Sequence, residues 1–351
     1  MRKLDNLDLL KNIDTRDMLA ELENFPEQCA EAYRLGVDLR LPPDYKKADK
    51  ILICGMGGSA IIGDLLHDYL KLETKVPVIV NRDSRIPNFV DKNTLVFLIS
   101  HSGNTKETLH NYHDALKRKA KIVAITSGGR LKKETARLGL PCVSIRADGL
   151  PRASLGLLFF PVLNILQKLG FISNKHKEFS ETLALVWELS RRWAGTVKTN
   201  RNQAKKLAAK LAGKIPVLYG ANSLMDGVAR RWKSQFNENT KLFAAYNIFP
   251  EITHNEIECW YNLKELRRYF KVFVLHDGIA YPEDQKRLDL SLRKISQNLG
   301  TVEQIHPYGQ SALARLFSIV YLGDFVSVYL AFLYATDPTP MPMIDYIKAN
   351  L

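Results

Sequence analysis

Three hydroxyl side chains crowd into the six residues Ser100-His101-Ser102-Gly103-Asn104-Thr105. The run follows the apolar stretch Leu95-Val96-Phe97-Leu98-Ile99 and precedes a polar segment of helical period, so it reads as the turn from a strand into a helix. A helix N-terminus carries partial positive charge and unpaired N–H groups. Hydroxyl donors placed there suit a phosphate monoester, which needs many short hydrogen bonds around three oxygens. A second loop, Gly55-Met56-Gly57-Gly58-Ser59, has no side chains at Gly57 and Gly58 to hold an anion off the backbone, and Ser59 stands near the next helix start. One such loop alone is more often a set of N-caps and turn formers. Ser100, Ser102 and Thr105 opposite Gly57, Gly58 and Ser59 favour phosphate. The nucleotide fingerprints fail: the third glycine of G-x-G-x-x-G is Ala60, and no Walker lysine follows.

The elements that must position these loops alternate along the chain. Short apolar runs at Ile51–Cys54, Val78–Val80, Leu95–Ile99, Ile122–Ile125 and Pro141–Ile145 are separated by segments of helical period. That alternation predicts a doubly wound parallel sheet with helices on both faces. The second half repeats the plan, with runs at Ile215–Tyr219, Val272–Leu275 and Val302–Ile305. The pairs Gly55/Gly220, Gly103/Gly278 and Gly128/Gly309 recur at a slowly drifting offset, as a duplicated domain with loop insertions would. The loop His276-Asp277-Gly278 lacks hydroxyls and carries an acid, so one phosphate site is expected, in the first half. Residues 1–47 form an N-terminal helical extension that stops at Leu41-Pro42-Pro43. The first α/β domain is expected over 48–172. The second is expected over 173–351, beginning with a long basic connecting helix over 173–213 and ending in C-terminal helices.

Composition narrows the classes further. Of 351 residues, 46% are hydrophobic and 25% charged, which fits a globular protein. Lys plus Arg number 50 against 37 Asp plus Glu, and the net charge of +13 favours anionic ligands. The basic runs Lys117–Lys121, Arg130–Lys133 and Lys205–Lys214 read as solvated helix faces. Without a recognition helix or interleaved aromatics they do not predict nucleic-acid binding. Cys29, Cys54, Cys142 and Cys259 lie too far apart for a disulfide framework or a zinc site, so no metal is expected. The opening MRKLDNLDLLKNID is too charged for a signal peptide. Leu155–Leu166 is short and interrupted by Pro161, and Leu313–Ala335 contains Arg315 and Asp324. Both read as core helices, so no membrane is expected and a cytoplasmic location is expected.

The segments GMGGSAIIGD, SHSGNTKETL, ITSGG, PRASLG, RRWKSQFNEN, THNEI and YLGDFVSVYLA…DPTPMPMIDYIK, in that order, resemble the bifunctional phosphoglucose/phosphomannose isomerase family. SHSGNT alone would mark only a sugar-isomerase (SIS) domain; RRWKSQFNEN with HNE and the tail is narrower. The match departs at His101, where tyrosine is usual, and at Ser154, where alanine is common; His101 changes the wall of the loop and not its donors.

The resemblance implies two SIS subdomains and a cofactor-independent isomerase. Its substrates would be glucose 6-phosphate and mannose 6-phosphate, interconverted with fructose 6-phosphate through ring opening and a cis-enediolate. It makes Glu238 the base that moves a proton between C1 and C2. His254 becomes the ring-opening histidine, contributed across a homodimer with shared active sites. Arg152 would stabilise the enediolate, Lys348 would assist ring opening, and Thr339 would leave room at C2. The strongly apolar Leu313–Ala335 also points to a subunit interface. An aminosugar-phosphate isomerase would bring an N-terminal catalytic cysteine, and Met1-Arg2-Lys3 offers none. A sugar-phosphate-sensing regulator would bring a DNA-binding domain of about 70 residues, larger than the 47 before the first strand.

Overall fold

The computed structural model describes residues 2–262, 264–279 and 281–350. The chain divides into two compact units, Phe25–Leu183 on one hand and Met1–Asn24 with Ala184–Leu351 on the other. Both are α/β units built on parallel sheets, as the alternating runs require.

In the unit Phe25–Leu183 the strands are β1 (Lys50–Cys54), β2 (Val78–Asn81), β3 (Thr94–Ile99), β4 (Lys121–Thr126) and β5 (Cys142–Ser144), in spatial order β2-β1-β3-β4-β5. All pairs are parallel, with Ile53 beside both Val80 and Phe97. β3 and β4 are buried along their whole length, which explains their continuous apolar text. Crossovers leave β1 and β3 in opposite directions. A crevice therefore opens at the carboxyl ends of those two strands, and ligands bind at such a crevice in this class of sheet. Helix Phe25–Arg34 lies along the buried helix Leu155–Lys168, which draws the second half of the N-terminal extension into this unit. The units accordingly divide after residues 24 and 183, where the sequence suggested 47 and 172.

The second sheet has β6 (Ile215–Gly220), β7 (Ala245–Ile248), β8 (Phe270–Leu275) and β9 (Glu303–Ile305) in the parallel order β7-β6-β8-β9. Strand β7 was not legible: it has four half-buried residues, and no apolar run announces it. Helix Ala312–Leu333 forms the centre of this unit. Its length and mean hydropathy of 1.9 would allow it to cross a membrane, but 94% of its most apolar window is buried inside the protein. Its apolarity is thus satisfied within the chain and calls for no subunit interface, contrary to the expectation from sequence. Gly323 lets the indole of Trp232 lie against it, since a Cβ there would fall 2.1 Å from Trp232 Nε1.

The basic connector is two helices, His176–Trp193 and Gln203–Leu211. One of its lysines contradicts the solvated reading. Lys205 is fully buried, with Nζ donating to the Leu4 and Gly195 carbonyls at 2.7 and 2.8 Å and facing Asp5 at 3.4 Å. Burial lowers its pKa, and the Asp5 carboxylate opposes that shift.

Candidate active site

Ser100 follows β3 directly and is buried. Its hydroxyl lies 2.9 Å from that of Thr105 and accepts the Gly103 N–H at 3.1 Å. Ser102 is exposed, and its Oγ accepts the Asn104 N–H at 3.2 Å, which uses a lone pair and not the hydroxyl proton. Gly103 takes φ +66°, and a Cβ there would stand 1.9 Å from the Gly128 oxygen, so only glycine fits. The loop after β4 is laced to this one: Ser127 donates to the His101 carbonyl from its N–H at 3.0 Å and its Oγ at 2.6 Å. Thr105 is the N-cap residue of helix Lys106–Lys117, yet its side chain bonds Ser100 and does not cap. The helix N-terminal N–H groups are therefore not consumed by their own cap residue.

In the glycine loop after β1, the N–H groups of Ser59, Ala60 and Ile61 turn inward to the Met56 and Gly57 carbonyls at 3.0–3.2 Å. Among the described residues, no acceptor engages the N–H groups of Gly57 and Gly58. The turn Pro151–Ala153 stands beside this loop; a Cβ on Gly58 would lie 3.8 Å from the Pro151 oxygen. Arg152 in that turn is only 7% exposed, unlike an ordinary surface guanidinium. Sequence reasoning missed its support, Gln28, whose amide donates to the Ala153 carbonyl at 3.0 Å and accepts the Gly156 N–H at 2.9 Å. Burial holds the half-buried His101 below its usual pKa, so this wall of the loop is neutral at pH 7.

Glu238, His254, Thr339 and Lys348 lie in the other unit. Glu238 is half-buried in a π-helical turn, Phe236–Thr240, that continues helix Asp226–Gln235. Such turns are rare and recur at functional sites. The Lys241 ammonium behind it donates to the Asp337 and Pro338 carbonyls at 2.9 and 3.1 Å, tying this turn to the segment before Thr339. Thr339 is buried and its N–H donates to Asp337 at 2.9 Å. Lys348 is exposed on helix Pro342–Ala349, none of whose residues is buried.

His254 is exposed, with Nε2 3.2 Å from an Arg287 guanidinium nitrogen; since guanidinium only donates, Nε2 accepts and Nδ1 carries the proton in this arrangement. Its loop is pinned by Glu256, which accepts from the Tyr219 hydroxyl at 2.7 Å and from Asn247 at 2.5 Å. Burial and then the Glu256 carboxylate push the Tyr219 phenol up, keeping it a donor. Glu256 thus orients the loop. Among the described residues no three His, Cys, Asp or Glu side chains converge as a metal site would require.

Residues 44–136 match the SIS domain family, and residues 200–351 match the bacterial phospho-glucose isomerase C-terminal SIS domain. A bifunctional phosphoglucose/phosphomannose isomerase of Caldicellulosiruptor bescii is 41% identical over 95% of this chain and 98% of its own length. The chain belongs to this isomerase family. The corresponding enzyme of Aquifex aeolicus is 37% identical over 86% of this chain and 90% of its own length. In fold, a hypothetical protein of Thermus thermophilus of known structure superposes with a TM-score of 0.74, covering 98% of this chain and 94% of its own, at 14% identity. As an isomerase of this family, the chain acts on sugar phosphates.

Proposed function

We propose that this protein interconverts glucose 6-phosphate and mannose 6-phosphate with fructose 6-phosphate, at the head of glycolysis and gluconeogenesis in the cytoplasm. The carrying observation is the laced Ser100–Thr105 loop at the carboxyl end of β3, with the glycine loop beside it and the buried guanidinium of Arg152 next to that. In this reading Gly57, Gly58, Ser59, Ser100, Ser102 and Thr105 bind the phosphate. The partner subunit's His254 protonates the ring oxygen while Lys348 assists, and the sugar opens. Glu238 then takes the proton from C2 of the aldose. The C2–H electrons become the enediolate double bond, and negative charge gathers on the C1 and C2 oxygens, the charge for which this reading assigns Arg152 as the stabilising cation. Glu238 returns the proton to C1 while the C2 hydroxyl proton passes to the C1 oxygen, giving the ketose. Thr339 leaves room at C2, so both epimers reach the same enediolate. No metal or cofactor enters this scheme.

A homodimer with shared sites is part of the proposal. The exposed apolar side chains of Met343, Ile344, Tyr346 and Ile347 beside Lys348 support it, since a lone helix gains little by showing them to water. Incubation with fructose 6-phosphate should yield both glucose 6-phosphate and mannose 6-phosphate. Formation of neither would refute the proposal.

A further inference from the structure

Helix Ala312–Leu333 is apolar along its length, yet carries Asp324 and Ser327 at its centre, both buried. A buried carboxylate is costly, and packing alone would be served as well by apolar residues of similar volume. The two side chains lie one turn apart on one face. Upstream of Glu238, Arg231 donates from Nε and Nη2 to the two Asp324 oxygens at 3.0 and 2.7 Å, and Gln235 donates to Oδ1 at 2.8 Å. Downstream, Asn239 Nδ2 donates to Ser327 Oγ at 2.8 Å, and Thr240 Oγ1 donates to the Ser327 carbonyl at 3.0 Å. Ser327 Oγ donates its own proton to the Asp324 carbonyl at 2.7 Å, joining the two grips. The chain is therefore held three residues before Glu238 and one and two residues after it, across the π-helical turn.

We propose that Asp324 and Ser327 act as a clamp that positions the Glu238 carboxylate for proton transfer. The inference rests on the reading of Glu238 as the base. Neither clamp residue touches substrate; they act by fixing the direction of a group that must reach both C2 and C1. A loosened carboxylate would still take the C2 proton at times but would return it to C1 more slowly, giving solvent longer to exchange it.

The test is turnover in D₂O, with kcat, KM and deuterium incorporated per turnover measured together. Ser327→Ala removes one oxygen and is expected to lower kcat roughly 10–100-fold with KM changed by less than about threefold, as a misplacement near 1 Å does. Deuterium per turnover should rise. Asp324→Asn, which keeps the shape and removes the charge that fixes Arg231, should move the same readouts the same way. Deuterium incorporation is a ratio within each turnover, so loss of folded protein lowers the rate without changing it. An unchanged deuterium fraction in both variants overturns the clamp, whatever happens to kcat. Glu238→Gln runs alongside: if it turns over like the wild type, the reading of Glu238 itself fails. If it collapses while Ser327→Ala keeps both rate and deuterium fraction, the clamp alone fails.

Discussion

Ser102→Ala removes a single exposed hydroxyl that, among the described residues, accepts the Asn104 N–H and makes no other side-chain bond, so the fold should tolerate the change. What is lost is a donor to a dianion. Hydrogen bonds to charged groups contribute about 1.5–3 kcal/mol, which converts to roughly 10–150-fold in affinity. The phosphate does not react, so its contact stabilises ground and transition states alike; KM should rise by that factor while kcat stays within about threefold. Initial rates over a range of fructose 6-phosphate give both constants, and inhibition by inorganic phosphate isolates the contact. The inhibition constant should rise by the same factor as KM. An unchanged KM in folded protein would refute the placement of phosphate at this loop, and so would a raised KM with unchanged phosphate inhibition.

Three further outcomes are expected. Burial, then the neighbouring His306 ring stacked at 4.4 Å, lower the His276 pKa to about 4 from its ordinary value near 6.5. Between those values the unfolded chain binds the extra proton, so the contribution is whole above pH 6.5 and falls by about 3 kcal/mol as pH drops to 4. Denaturant unfolding should show that fall, and His276→Phe should flatten it; an equally steep variant would contradict the assignment. Mixing His254→Ala with Glu238→Ala subunits should regenerate activity in heterodimers, and no recovery after confirmed subunit exchange would count against shared sites. Prolonged EDTA treatment should leave activity intact; loss restored by added divalent metal would show that the scheme lacks a component.

The sheet plan was legible because buried parallel strands write continuous apolar runs, as Leu95–Ile99 and Ile122–Ile125 do. Half-buried β7 writes no such run. Composition cannot distinguish a lysine facing water from Lys205, which is bonded to the carbonyls of Leu4 and Gly195, 201 and 10 residues away along the chain. The same holds at the site. Hydroxyl type and spacing are what single out Ser100, Ser102 and Thr105 as candidates, whereas Gln28 and Ser327 make contacts 125 and 88 residues distant that no local pattern records. Asp324 was visible only as a charge out of place in an apolar helix. That misfit was its signal.

In the proposed mechanism one carboxylate, Glu238, serves both epimers. Glu238→Gln keeps the shape and hydrogen bonding but not the base, and general acid–base groups contribute roughly 10²–10⁴-fold. The most direct measurement is kcat of Glu238→Gln on glucose 6-phosphate and on mannose 6-phosphate, with binding of a non-reacting sugar phosphate as control. Both rates should fall together, by about 10⁴-fold, while binding persists. Loss on one epimer with retention on the other would require a second base and would contradict the single shared enediolate.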